Sequence, residues 1–224
     1  GTVGELWYFF ERDLEYPVSL INTDLTGSID FSGYDVIILP PGNYSKLKDT
    51  ITSYVRQGGR VIAIENAISL FATDKNTALF NAVETRNTEL KSLEKKIRSD
   101  DTTLLKRFED KRRYLLSERS AGSIYRVRLD ETHPYATGLG REWFILKRNQ
   151  SYPFLGKGSN IAWITENNPV SGFAGYKFRQ TVRNTLVVGS ENIGSGEVIY
   201  ITDDPYFRAY WKSGRVLLGN MVLR

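Results

Sequence analysis

The 224-residue sequence contains no cysteine, a single histidine and a single methionine. Without cysteine the chain has no disulfide, no thiol nucleophile and no thiolate metal site, although this absence assigns no redox compartment. His133 lies in a turn sequence, Glu131 to Pro134, and has no thiol to activate. We therefore expect a structural hydrogen bond for His133 rather than a catalytic role.

The sequence also lacks a long hydrophobic run. No apolar stretch approaches the roughly 20 residues that a membrane-spanning helix needs, and residues 1–5 do not resemble a signal peptide. The sequence begins with glycine, so we expect a fragment or a processed product.

The excess of positive charge is small, with a net charge of +4 and a pI near 9.1. Lysine and arginine are interleaved with aspartate and glutamate, and no nucleic-acid-binding motif accompanies them. This pattern favours a solvated surface over a phosphate-binding face, so we expect no nucleic-acid partner.

Apolar patterning predicts a single α/β domain over residues 1–224. Hydrophobic residues make up 41% of the chain, which is enough for a packed core. Strand, helix and strand alternate at first, which predicts a parallel sheet flanked by helices. We expect helices at 5–14, 45–56 and 67–71, and strands at 18–25, 36–39 and 61–64. A doubly wound unit opens with a strand, so the first strand is expected to be missing.

Residues 76–119 interrupt this alternation with a charged helical insertion. Leu90, Leu93 and Ile97 share one helical face, and a second helix is expected after Ser99. The insertion is either a coiled-coil arm for a partner or a surface excursion packed on the sheet. Its short heptad pattern favours the second interpretation.

After Gly122 the patterning changes to short strands, and we predict a final helix over 206–223. The predicted strands cover residues 123–129, 143–147, 161–164, 185–188 and 198–201.

Three segments resemble the class I glutamine amidotransferase-like, or flavodoxin-like, fold. They are residues 34–42 (YDVIILPPG), residues 58–64 (GGRVIAI) and residues 196–205 (GEVIYITDDP). The resemblance implies a nucleophilic cysteine on a sharp turn after the second segment and a histidine near the third. Glu65 occupies the first position and Asp204-Pro205 the second, so both groups of the thiol mechanism are absent.

A second resemblance covers nearly the whole chain. Residues 4–11, 16–17, 124–134 and 203–211 (DDPYFRAYW) are similar to the C-terminal amidotransferase-like domain of bacterial, Bacteroidetes-type zinc carboxypeptidase-like proteins. This resemblance implies a secreted or periplasmic parent enzyme, an upstream peptidase domain as partner, and a peptide or cell-wall ligand. It places the zinc cofactor in the parent peptidase domain. This chain lacks the second histidine of such a zinc site.

Glu65, Asp203 and Asp204 are the candidate reactive groups, because each follows a predicted strand. Together they could hold Ca²⁺ or Mg²⁺ through carboxylate oxygens. The alternative is that Asp203 or Asp204 caps the final helix, with Pro205 in its first turn. For Glu65 we favour a relic position bonded to nearby amides over catalysis, since a lone carboxylate needs a partner for acid-base work.

Further ligand-binding candidates flank these acids. The backbone amides near Gly42 and Asn43 resemble an oxyanion-hole loop and could bind an anion, and Asn66 adjoins Glu65. Arg208 and Trp211 could form a recognition platform with neighbouring aromatic residues. Alternatively, Phe207, Tyr210 and Trp211 share a helical face and belong to the core.

We therefore expect a non-catalytic accessory domain of a secreted zinc carboxypeptidase-like protein, without a cofactor or metal of its own, that packs on or positions the peptidase or its substrate. The alternative is an autonomous hydrolase that uses Glu65 with Asp203 or Asp204.

Overall fold

One mixed seven-stranded sheet organises the residues that a computed structural model describes, which are 1–24, 29–98 and 116–224. The strand order is β1-β2-β7-β6-β5-β3-β4. The strands are β1 (Val36–Leu39), β2 (Arg60–Ile64), β3 (Ser123–Leu129), β4 (Glu142–Lys147), β5 (Ser159–Ile164), β6 (Thr185–Ile193) and β7 (Gly196–Ile201).

Helices cover both faces of the sheet. They are α1 (Thr2–Tyr8), continued by a π-helical turn (Phe9–Asp13), α2 (Lys48–Arg56), α3 (Ser69–Ala72), α4 (Ala78–Arg98), α5 (Tyr176–Val182) and α6 (Lys212–Leu223). No helix in the described ranges is long and apolar enough to cross a membrane.

The expectation of a parallel sheet is wrong for more than half of the strands. Only β1, β2 and β7 are parallel, whereas β6, β5, β3 and β4 join β7 through antiparallel pairings. A parallel pair needs a crossover of a dozen or more residues, but only Gly194 and Ser195 separate β6 from β7. The short connection therefore forces an antiparallel hairpin, and the fold is mixed α/β.

The parallel strands β2 and β7 are buried on both faces, as unbroken apolar runs indicate, whereas the edge strand β1 is half-buried up to Leu39. Along β2, Ile62 and Ile64 belong to the core on one face, while Val61 and Ala63 belong to the core on the other. Strand side chains alternate between faces, so one short segment contributes to both cores.

The predicted strand at 18–25 is wrong, because residues 18–24 contain no strand and Leu25 lies outside the described residues. Val18 packs against the core on one face and Ile21 against the core on the other. These apolar residues therefore contribute to packing and not to strand pairing. Among the described residues β1 is an edge strand that pairs with β2.

Only the first half of the predicted insertion can be compared with the structure. Helix α4 is anchored by Leu79, which is fully buried, and by Arg86, whose guanidinium donates to the Thr181 carbonyl oxygen at 2.8 Å. Its amino end is held by the buried Glu191, which accepts from the backbone of Ala78 and Leu79. Residues 99–115, which carry most of the predicted second helix, lie outside the described residues.

The final helix begins later than predicted, at Lys212 rather than at 206. A 3₁₀ turn (Phe207–Ala209) precedes it, in which Arg208 and Ala209 adopt left-handed φ values of 53° and 56°. Two consecutive left-handed residues break an α-helix, so the aromatic residues of this segment do not share a helical face.

Candidate functional site

Glu65 lies on a sharp turn at the edge where β1, β2 and β7 end, here named the carboxyl edge. Ile64 at the end of β2 is extended, with φ −112° and ψ 133°, and the next residue, Glu65, has φ 51°. A 3₁₀ turn (Glu65–Ile68) then leads into α3. A non-glycine residue with positive φ is uncommon and costs about 1–2 kcal/mol, so the turn is strained.

The Glu65 carboxylate lies beside a cationic group, Arg148, which follows β4. Their Oε1 and Nη1 atoms are 3.5 Å apart, and the Glu65 side chain is only 15% exposed. Burial raises the pKa of Glu65, and this effect outweighs the opposing charge of Arg148. The charges of Asp203 and Asp204 also raise this pKa.

Asp203 is committed to a buried ion pair. Its Oδ2 atom lies 2.5 Å from the Lys147 Nζ atom, and both side chains are 1% exposed or less. Its carboxylate also accepts from the Thr202 hydroxyl at 2.7 Å and from the Arg148 backbone N–H at 2.9 Å. A carboxylate satisfied by three donors is a structural group here and is not free to act on a substrate.

Asp204, one residue later, is held differently. Its Oδ1 accepts from the Tyr206 backbone N–H at 2.9 Å and its Oδ2 from the Thr2 hydroxyl at 3.2 Å. Burial and the neighbouring Glu5 carboxyl raise the pKa of Asp204 to about 7. The buried Oε2 of Glu5 has no hydrogen-bond partner among the described residues.

Neither the predicted helix cap nor the predicted cation cluster is present at these two acids. Asp203 and Asp204 do not cap the final helix, since the residue that precedes Lys212 is Trp211. The cation cluster is also not formed, because no group of three or more acidic or histidine side chains in the described ranges is placed to hold a metal ion. Lys147 prevents it by supplying the counter-charge that a cation would supply.

The predicted platform around Arg208 is partly exposed. The guanidinium carbons of Arg148 and Arg208 lie 5.7 Å and 5.2 Å from the centre of the Phe207 ring. Tyr210 is 77% exposed and Trp211 half-buried, so the expectation that these aromatic residues belong to the core is wrong. Positive φ at Arg208 and Ala209 turns the chain outward before α6 begins.

The remaining candidates occupy neighbouring loops of the carboxyl edge. Leu39 of β1 pairs in register with Ala63 of β2, so the loop with Gly42 and Asn43 and the turn with Glu65 leave the same edge of the sheet. Asn43 caps its own turn by accepting from the Ser45 N–H at 3.0 Å. Asn66 follows Glu65 and is exposed.

His133 lies away from these residues, near the edge where the parallel strands begin, here named the amino edge. Its Nδ1 atom accepts from the Tyr135 N–H at 3.3 Å and so caps a 3₁₀ turn. Burial lowers the pKa of His133, although Glu197 and Asp130 oppose the shift. The structure therefore separates His133 from Glu65.

Lys147 and Arg148 were not among the predicted site residues, although they join β4 at the far end of the sheet to the carboxyl edge. A signal was present in β4, where Trp143, Ile145 and Lys147 occupy the buried positions of an alternating strand. A lysine in the buried phase needs a counter-ion. Glu5 was also missed, because a glutamate near a helix start gives no such signal.

Solved structures show which fold this chain shares. A protein described as ThuA-like from Bacteroides uniformis has a TM-score of 0.55 and 16% identity, over 100% of this chain and 83% of that one. A protein with the same description from Parabacteroides merdae has a TM-score of 0.57 and 14% identity, over 99% and 83%. A cytoplasmic protein from Salmonella typhimurium has a TM-score of 0.57 and 12% identity, over 100% and 86%.

The chain thus has a ThuA-like fold, related to the glutamine amidotransferase-like folds. At these identities the likeness shows the fold alone. No protein-family model and no curated protein matches the sequence.

Three expectations drawn from the second resemblance are wrong. Two of these neighbours are described as ThuA-like and two as cytoplasmic proteins, this chain covers 83–86% of each, and none is described as a domain of a zinc carboxypeptidase. An upstream peptidase partner was implied only by that resemblance. A secreted or periplasmic location is contradicted too, because two neighbours are described as cytoplasmic proteins.

Proposed function

We propose that this chain is a non-catalytic ligand-binding domain whose binding site is the carboxyl edge around Glu65. The observation that carries the proposal is the Glu65–Arg148 pair: at the position that the amidotransferase-like fold gives to a nucleophile, a carboxylate lies 3.5 Å from an arginine. No cysteine exists anywhere in the sequence.

The other groups of the edge support the same conclusion. Asp203 forms an ion pair with Lys147, and Asp204 accepts hydrogen bonds from the Thr2 hydroxyl and the Tyr206 backbone N–H. An acid-base pair needs one group that gives a proton while its partner takes one, both within reach of the substrate. Here the acids are bonded inward, whereas Arg148 is half-exposed.

Strain at the edge favours ligand binding over simple degeneration. Three of the five described non-glycine residues with positive φ, which are Glu65, Arg208 and Ala209, belong to this edge. Such conformations persist only where the surrounding structure over-determines them, and they concentrate at ligand clamps and active sites. A surface with no role would be expected to lose them.

A second candidate, an autonomous hydrolase, is favoured by one observation. The pKa of Asp204 is raised to about 7 and that of Glu65 is raised by burial, and perturbed carboxyls of this kind are typical of general acids. In that case Asp204 would donate a proton while Glu65 acts as base or nucleophile.

A turnover assay separates the two functions. The purified protein is incubated with chromogenic ester, amide and glycoside substrates, alongside Glu65→Gln and the control Glu131→Gln, which changes an exposed acid away from the carboxyl edge. We expect no turnover above buffer for any of the three proteins. Turnover by the wild type and the control that disappears in Glu65→Gln would establish the hydrolase instead.

A further inference from the structure

Two arginines converge on one aromatic ring at the carboxyl edge. Arg148 follows β4 and Arg208 follows β7, so residues far apart in the sequence place their guanidinium groups within 6 Å of the Phe207 ring centre. Guanidinium groups that stack on an aromatic face keep their N–H edges available for ligands.

The two arginines differ in how far they are already paired. Arg148 contacts Glu65 at 3.5 Å, which is long for an ion-paired hydrogen bond, and half of its side chain is exposed. Arg208 is exposed and makes no ion pair within the described ranges. One positive charge is therefore uncompensated, and the other is only weakly compensated.

The backbone around Arg208 is strained. Both Arg208 and Ala209 are left-handed, although an arginine gains nothing from that conformation by itself. Shortly after them, the Trp211 indole Nε1 is buried and has no acceptor among the described residues. An indole N–H only donates, so this group lacks a hydrogen-bond acceptor.

The neighbouring acids do not cancel this positive character. Lys147 neutralises Asp203, and burial raises the pKa values of Asp204 and Glu65. Asp203 therefore adds no net negative charge to this edge.

We propose that Arg148 and Arg208, stacked on Phe207, bind an oxoanion group of a ligand, either a carboxylate or a phosphate. The planar fork of each arginine suits the two or three oxygens of such a group. This inference names the ligand chemistry of the proposed binding site and rests on that proposal.

The test is calorimetric titration of the whole chain with inorganic phosphate and, separately, with succinate. We expect saturable binding of one probe, weakened about tenfold or more in Arg208→Gln and in Arg148→Gln, the loss expected for one charge-assisted contact. Arg141→Gln is the matched control, because Arg141 is an exposed arginine paired with Glu131 away from the site. Circular dichroism verifies that each variant is folded.

The stronger probe identifies the source, since tighter phosphate binding indicates a phosphorylated ligand and tighter succinate binding a carboxylate ligand. No binding of either probe at millimolar concentration, or equal binding by the Arg148→Gln/Arg208→Gln double variant, would overturn the inference. Neither result touches the non-catalytic role, which only the turnover assay decides.

Discussion

The two edges of the parallel strands carry similar charged side chains but differ in how those side chains are paired. At the amino edge, Glu197 accepts from the Tyr135 hydroxyl and pairs with Arg60 at 3.4 Å, and Arg60 also donates to the Met221 carbonyl oxygen. At the carboxyl edge, Arg148 is weakly paired, Arg208 is unpaired within the described ranges, and the backbone is strained. At the amino edge the arginine is held by an ion pair and a backbone acceptor, although its Nε makes no hydrogen bond among the described residues. At the carboxyl edge Arg208 makes no ion pair within the described ranges.

The largest expected effect comes from Lys147, which joins the end of β4 to Asp203 after β7 at the carboxyl edge. Lys147→Met leaves Asp203 buried without a counter-charge, so we expect a loss of about 3–5 kcal/mol in the free energy of unfolding. Urea denaturation measures it.

The double variant Lys147→Met/Asp203→Leu is the control, because removing both charges relieves the unpaired carboxylate. If it were no more stable than Lys147→Met, the loss would come from packing and not from the ion pair.

The amino edge provides the matching perturbation. Tyr135→Phe removes the hydroxyl that donates to Glu197, and we expect a loss of about 1.5–3 kcal/mol, the range for a hydrogen bond to a charged group. Thermal and urea denaturation report it, and oxoanion binding should be unchanged. A change in phosphate or succinate affinity would show that the edges are not independent.

The pH dependence of stability distinguishes the edges further. The folded-state pKa of Asp204 is about 7, whereas that of an unfolded aspartate is about 4. Between these values the folded state holds a proton that the unfolded state has lost. The free energy of unfolding should therefore fall as the pH rises from about 4 to about 7, with a slope of up to about 1.4 kcal/mol per pH unit, and level off above.

Asp204→Asn should remove most of this slope, because its amide does not titrate. Urea denaturation at several pH values measures the slope for both proteins. A variant that keeps the wild-type slope would show that another group carries the dependence.

The smallest effect concerns strain alone. Ala209→Gly relieves a left-handed φ of 56°, so we expect the free energy of unfolding to rise by up to about 1 kcal/mol. Ala209→Val should lower it, since a β-branched side chain tolerates positive φ poorly. If glycine and valine were equally stable at this position, the segment would not be strained.

Much of the parallel half of the fold follows from local patterns. The strand 36–39 was predicted with its observed bounds, because an unbroken β-branched run between a turn and two prolines has few other uses. Helix α5 was missed, and the strand at 18–25 was wrong, because both depend on what neighbours them in space. No local pattern reports whether a segment finds a pairing strand.

The candidate site was predictable only in part. Glu65 and Asp204 were found because residues that follow buried strands collect at one edge. Lys147 and Arg148 were not, since the sequence gives no indication that the sheet curls far enough to bring β4 back to the end of β7. Lys147 and Arg148 determine the pairing of Asp203, and Glu5 affects the pKa of Asp204.

Titration of Glu65→Gln with phosphate and succinate tests the central claim most directly. The claim is that the Glu65 carboxylate competes with a ligand for Arg148 and does no chemistry. Glutamine keeps the shape of the side chain but removes its charge, so Arg148 is released. We expect Glu65→Gln to bind the preferred probe more tightly than the wild type does, with no turnover by either protein. Unchanged or weaker binding would contradict it.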